Sequence, residues 1–425
     1  MAAWLMSIPA PAAILLCLAL MLLSGFLVTR ITKLLRLPNV SGYIIAGMLI
    51  GPHILNLIPQ PLVSGMEFVS DIALSFIAFG VGKFFKLSTI RSGRKRVVVI
   101  TLFESLAAGV IIAVSMHYIF NMTWDFSMLL GAIATATAPA STLMTIRQYH
   151  ARGEFVDTLL QIVAFDDVVC LFIFSIISAV IRANFDGRFT VSDVLLPVLY
   201  NIIAVIIGFL CGFVLSKLLN ERRSQDNRLI LVIAFLLGLS GLCAIFNISP
   251  LLSCMIFGAA YVNLTEDARL YRQLDGFTPP IMSMFFIISG MNLNVSALAA
   301  FGIVGISYFF IRIIGKYVGS FCGCVLTKTS SKTRMFLGLA LVPQAGVSIG
   351  LAFLGQRMLP PDIGSLLLTI ILSSSVLYEL IGPACAKAAL VFSGSIPDPS
   401  TKPSGPGLSE IVDVSPSEDF NDHPS

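Results

Sequence analysis

The chain is 425 residues long, 56% hydrophobic and only 12% charged, with a formal net charge of +4. A soluble domain carries about 25% charged residues, so this composition excludes a water-soluble protein and describes an integral membrane protein. The small positive excess belongs to short loops between apolar runs and gives no nucleic-acid footprint.

A transmembrane helix needs about 20 apolar residues. In chain order such runs cover about 11–29, 40–58, 67–86, 97–120, 126–146, 155–182, 194–219, 228–246, 249–264, 278–291, 297–326, 333–356 and 362–391, thirteen in all. Alternate loops hold 20 of the 27 basic residues, while the opposite set holds only Arg182, Arg188 and Arg357. Basic loops stay cytoplasmic, which places the N-terminus outside and the C-terminus inside. Met1 to Pro11 carries no basic residue, so the first run is expected to be a retained helix and not a cleaved signal. All eight cysteines fall inside expected spans and read as small buried apolar residues. Residues 393–425 are rich in Pro, Ser, Asp and Glu and are expected to form a disordered cytoplasmic tail.

Two spans are interrupted. The fifth contains Thr135-Ala136-Thr137-Ala138-Pro139-Ala140-Ser141-Thr142, and the twelfth contains Leu341-Val342-Pro343-Gln344-Ala345-Gly346. Proline removes an N–H and crowds the preceding turn, so each stretch is expected to unwind and turn freed carbonyls toward a polar cavity. An ordinary proline kink is the plain alternative for either one alone. With the seventh span as a linker, the remaining spans form two six-helix halves of opposite orientation. Both interruptions then fall on the fifth helix of their half, the pattern of a transporter binding site.

Charges inside the membrane are costly, about 3 kcal/mol each on insertion scales, and are kept for a use. The sixth span carries Asp166 and Asp167, about eleven residues or roughly 16 Å from its cytoplasmic start. Neighbours on a helix point about 100° apart, so the two carboxylates serve different partners. The eleventh span carries Arg312 and Lys316, four apart on one face, and the fourth carries Glu104. Three acids against two bases leave one carboxylate over, which a transported cation or proton would neutralise. Lysine can release a proton and arginine cannot. Lys316 is therefore assigned to the proton-sensitive pair, and Arg312 with Glu104 to a permanent structural ion pair. Glu379 is a weaker candidate in the last span.

These motifs together, Phe165-Asp166-Asp167, Thr137-Ala138-Pro139-Ala140, Arg312-Ile313-Ile314-Gly315-Lys316 and Pro343-Gln344-Ala345-Gly346, resemble bacterial monovalent cation/proton antiporters of the sodium/hydrogen exchanger superfamily, in its paired-aspartate branch. The resemblance covers about residues 10–392. It implies an all-α membrane domain over 1–392 with discontinuous helices crossing in its core. Core helices would occupy about 97–182 and 297–391, scaffold helices about 11–86 and 228–291, and a linker helix about 194–219. It also implies an elevator motion, a homodimer and a place in the plasma or inner membrane. Asp167 would carry the transported sodium or proton, Asp166 would exchange a salt bridge with Lys316, and Thr137 and Ser141 would lie beside the ion. The first break often reads Thr-Asp-Pro in that family, whereas Ala138 stands here and removes a helper carboxylate.

The function expected is exchange of sodium or lithium for protons, electrogenic if Lys316 also gives up a proton, with no cofactor and no enzymatic activity. Potassium/proton antiport and sodium-coupled uptake of an organic anion are the rival transport readings. An intramembrane aspartyl protease needs its two aspartates on facing helices, and these are adjacent on one.

Overall fold

The computed structural model describes residues 2–396 except 35–38, 84, 86–93, 139–141, 143–144, 147–148, 186–190, 220–223, 246–249, 266–268, 294 and 345. The tail from 397 onward, with the expectation of its disorder, lies outside the described residues. Among these residues the chain forms sixteen helices and no strand. They are α1 (Ala2–Ser7), α2 (Ala10–Leu34), α3 (Asn39–Ile50), α4 (Gln60–Gly65), α5 (Glu67–Gly82), α6 (Arg94–Tyr118), α7 (Trp124–Ala134) and α8 (Glu154–Phe185). The second part of the chain adds α9 (Val191–Leu218), α10 (Gln225–Ile245), α11 (Pro250–Thr265), α12 (Arg269–Met291), α13 (Val295–Leu326), α14 (Ser331–Ala340), α15 (Gly346–Met358) and α16 (Pro361–Ser393).

Every apolar interval read from the sequence contains a helix, with two notable shifts of boundary. The interval 40–58 is helical only to Ile50, after which the chain turns through 51–59 into the short α4. The interval 278–291 begins earlier, at Arg269, because a polar turn precedes the apolar part and is tied down by an ion pair between Lys83 and Asp275 at 3.3 Å. Among the described residues six helices are long and apolar enough to cross a membrane, or seven with the bent α16 taken as one span, and five more are apolar but shorter.

α16 bends by 46° between Tyr378 and Leu380. Pro383 lies inside this helix and cannot donate the hydrogen bond that the carbonyl of Glu379 would otherwise accept, which accounts for the bend. The helix ends at Gly394, whose φ of +75° is the left-handed cap that glycine adopts without strain.

Small residues set how closely the helices approach. On α13, Gly315, Gly319 and Gly323 recur every four residues along one face. A Cβ at these positions would stand 2.8 Å from the Cα of Ala108, 2.6 Å from the Cα of Glu104 and 2.8 Å from the Cα of Ile100. Between apolar helices in lipid, close van der Waals packing of this kind drives association, and it lays α6 directly against α13. Cys322 lies on the outer side of α13 and is exposed, contrary to the expectation that every cysteine is buried. Five of the eight are buried, and Cys211 and Cys385 are half-buried.

Helices α6, α7, α8, α13, α14 and α16 pack together around the two breaks, with α15 against α16. Helices α2, α3, α5, α11 and α12 form a second run of neighbours, α10 and α9 lie against α11, and α9 also meets α8. α15 meets α5 across the groups, where Arg357 approaches Asp71 at 3.5 Å.

Candidate functional site

The site begins with two helices that stop in mid-bundle. α7 ends at Ala134 and α14 at Ala340, and residues 135–138 and 341–344 are not helical. The two stretches meet, with the amide of Ala138 donating to the carbonyl of Pro343 at 2.9 Å. Pro343 and Gln344 lie in the second break and Gly346 opens α15. Pro139 and Ser141, named from the sequence, lie outside the described residues.

A helix C-terminus leaves its last carbonyls without intrahelical donors, and here two such ends are buried together. Arg312 supplies donors to both. Its Nε donates to the carbonyl of Ala134 at 2.8 Å, its Nη1 to that of Val342 at 2.8 Å, and its Nη2 to that of Ala136. Gln344 Nε2 donates to the carbonyl of Ile133 at 2.9 Å, and Lys316 Nζ to that of Thr135. The planar guanidinium has five donors in a fixed fork, and its charge also suits the negative ends of two helix dipoles. The Tyr378 ring lies against it, 4.9 Å from Cζ.

This corrects the expected pairing of Arg312 with Glu104. Glu104 lies against Lys316 instead, with its Oε2 2.7 Å from Nζ. That contact is off the alignment of a hydrogen bond, so attraction between opposite charges holds it. The reason is depth: Gly319 brings α6 onto α13 beside Lys316, while Arg312 sits one turn away, at the breaks.

Lys316 also donates to Asp166 Oδ2 at 2.7 Å. Asp166 is well supplied, since Thr137 Oγ1 donates to the same Oδ2 and Ser105 Oγ donates to Oδ1. Thr137 thus serves Asp166. Glu104, Asp166, Arg312 and Lys316 are fully buried, and Asp167 is 1% exposed. Asp167 differs from its neighbour in one respect: neither of its oxygens has a hydrogen-bond partner among the described residues. A buried carboxylate that stays ionised without a partner costs several kcal/mol, of order 3–5, which a bound cation or proton removes. The side chain of Glu379 lies outside the described residues.

Sequence reasoning did not single out Ser105, Tyr378 or the glycines of α13. The glycine spacing was visible as Gly315-x-x-x-Gly319-x-x-x-Gly323. Ser105 had no signal of its own beyond adjacency to Glu104.

Two broken helices that meet around buried charges, inside a bundle of membrane-crossing helices, define a membrane carrier of the secondary-transporter class. The profile of the family described as sodium/hydrogen exchanger, transmembrane, matches residues 18–383. The chain belongs to that family. It is 23% identical over 381 residues to the probable Na(+)/H(+) antiporter 3 of Methanocaldococcus jannaschii, covering 86% of this chain and 94% of that one. It is also 23% identical over 383 residues to the chloroplastic K(+) efflux antiporter 2 of Arabidopsis thaliana, of which it spans 31%. The fold is similar to that of the sodium proton antiporter MjNhaP1 from M. jannaschii at pH 8, with a TM-score of 0.74 and 21% identity over 90% of this chain and 99% of that one.

Proposed function

We propose that this protein exchanges sodium or lithium for protons across a cell membrane, with Asp167 as the shared binding group. The observation that carries this reading is the contrast between neighbours: Asp166 holds three donors and Asp167 holds none among the described residues. Sodium is a hard cation that takes oxygen ligands, and a proton neutralises the same carboxylate, so the two cargoes compete. Either one cancels the buried charge and lets the site move, whereas the bare carboxylate is held back by its desolvation cost.

In this reading the membrane domain has thirteen spans, N-terminus outside, built as two inverted six-helix repeats with α7 and α14–α15 as their matching broken helices. The helices around the breaks move as an elevator against the remaining ones, and two copies associate through the stationary part. Arg312 and Gln344 support the idea of a rigid moving unit, because they tie both breaks together.

Potassium/proton exchange is the second reading, favoured by the similarity to a K(+) efflux antiporter. Purified protein in vesicles carrying a pH-sensitive dye separates the two. Sodium and lithium are expected to move protons and potassium is not; equal or greater response to potassium would replace the first reading with the second. The same vesicles read stoichiometry. Release of a proton from Lys316 as Asp166 leaves it makes the exchange two protons per sodium, and so sensitive to imposed voltage by about 2.3 kcal/mol per charge per 100 mV.

A further inference from the structure

Asp167 offers two oxygens, which is few for a hard cation, and Asp166 is its neighbour in the chain. Both oxygens of Asp166 already accept hydrogen bonds. Oδ2 accepts from Lys316 and Thr137, and Oδ1 accepts from Ser105. A carboxylate oxygen that already accepts a hydrogen bond is a weaker ligand, so Asp166 lends an oxygen to a cation more readily if one of these donors has somewhere else to go.

Ser105 has such a place. A hydroxyl carries a single proton to donate. Ser105 Oγ lies between two carboxylates, in hydrogen-bond contact with Asp166 Oδ1 and 3.3 Å from Glu104 Oε1. Lys316 is likewise not stranded when Asp166 turns away, because Glu104 Oε2 is 2.7 Å from its Nζ and the carbonyl of Thr135 accepts from it too. Glu104 is therefore a reserve acceptor for two of the three groups that hold Asp166, Ser105 and Lys316. Ser105 and Glu104 are adjacent on α6 and fully buried, and the close approach of α6 to α13 at Gly319 keeps this arrangement tight.

We infer that Ser105 is a positioning residue that sets how readily Asp166 lends Oδ1 to the transported cation, by turning its hydroxyl hydrogen bond from Asp166 to Glu104 and back. The inference rests on the cation/proton exchange proposed above and assigns the regulation of that same site.

Two substitutions should then act in opposite directions. Ser105→Ala removes the donor that competes with the cation for Oδ1, so the KM for sodium falls, by about tenfold for a hydrogen bond to a charged acceptor. Glu104→Gln removes the reserve charge that steadies Lys316, so Lys316 clings to Asp166 and the KM for sodium rises. Ser105→Thr keeps the hydroxyl and should stay near the wild-type KM. The experiment is sodium-dependent proton flux in proteoliposomes at one fixed pH, with KM read separately from the maximal rate. A fall in the amount of folded protein lowers the maximal rate and leaves KM unmoved, so poor assembly does not imitate the result. Opposite shifts in KM, with Ser105→Thr close to wild type, support the inference. A KM in Ser105→Ala that is unchanged or raised overturns it while the exchange reading stands. A wild-type protein in which no monovalent cation moves protons overturns both.

Discussion

Asp167→Asn is expected to reduce sodium-driven proton flux to the leak of empty vesicles while making the protein more stable. Asparagine has nearly the same shape but no charge for a cation to neutralise and no proton to exchange. The carboxylate it replaces is buried with neither oxygen satisfied among the described residues. At a pH high enough to ionise Asp167, removing this uncompensated charge relieves a cost of order 3 kcal/mol, so the melting temperature in detergent should rise there as activity vanishes. Sodium should protect the wild type against heat and leave Asp167→Asn unaffected, because a ligand stabilises only the state that binds it. Flux in the variant comparable with wild type would remove Asp167 as the carrier.

The second large effect concerns assembly. Arg312→Leu should leave little folded protein in the membrane, read as loss of a monodisperse peak on size exclusion. The guanidinium donates to the carbonyls of Ala134, Ala136 and Val342, all inside the bundle. An unsatisfied buried acceptor costs about 1–3 kcal/mol, and three together reach on the order of 5 kcal/mol or more. That approaches the whole net stability of an ordinary domain, about 5–15 kcal/mol. Arg312→Lys should recover only part of the yield, because an ammonium is a point donor that cannot span carbonyls from two different helix ends. Full recovery with lysine would mean that charge alone is required there.

The contrast between these two arginine and aspartate roles shows what could be read from residues and what could not. The charged positions were conspicuous, since a carboxylate or guanidinium within an apolar run has few uses other than pairing or transport. The two breaks were equally plain, because proline flanked by hydroxyl residues interrupts an otherwise continuous span. Partner choice was not. Arg312 and Lys316 lie one turn apart on α13, a rise of about 6 Å, and which of them meets Glu104 depends on the depth at which α6 crosses α13. That depth follows from Gly315, Gly319 and Gly323, whose missing side chains admit α6 at the level of Lys316. Arg312 was left for the carbonyls at the breaks, an acceptor set that counting charges does not reveal. Ser105 was hidden for a similar reason: its importance comes from standing between Glu104 and Asp166, which meet only after α6 and α8 have packed.

The boundary of the second span erred because apolar composition continues past Ile50 while the backbone turns at 51–59, where Pro52 and Pro59 interrupt the helical hydrogen-bond pattern. The thiols erred differently. A residue inside a membrane span can face outward as easily as into the protein, and Cys322 is exposed.

The central claim is that one carboxylate serves two cargoes in turn. The dependence of the sodium KM on pH, measured at equal pH on both sides of the vesicle membrane, tests it most directly. Direct competition predicts a KM that rises as pH falls, approaching about tenfold per unit for each proton that sodium displaces. A KM that stays constant across pH while the maximal rate falls would place the proton at a separate group and contradict the account.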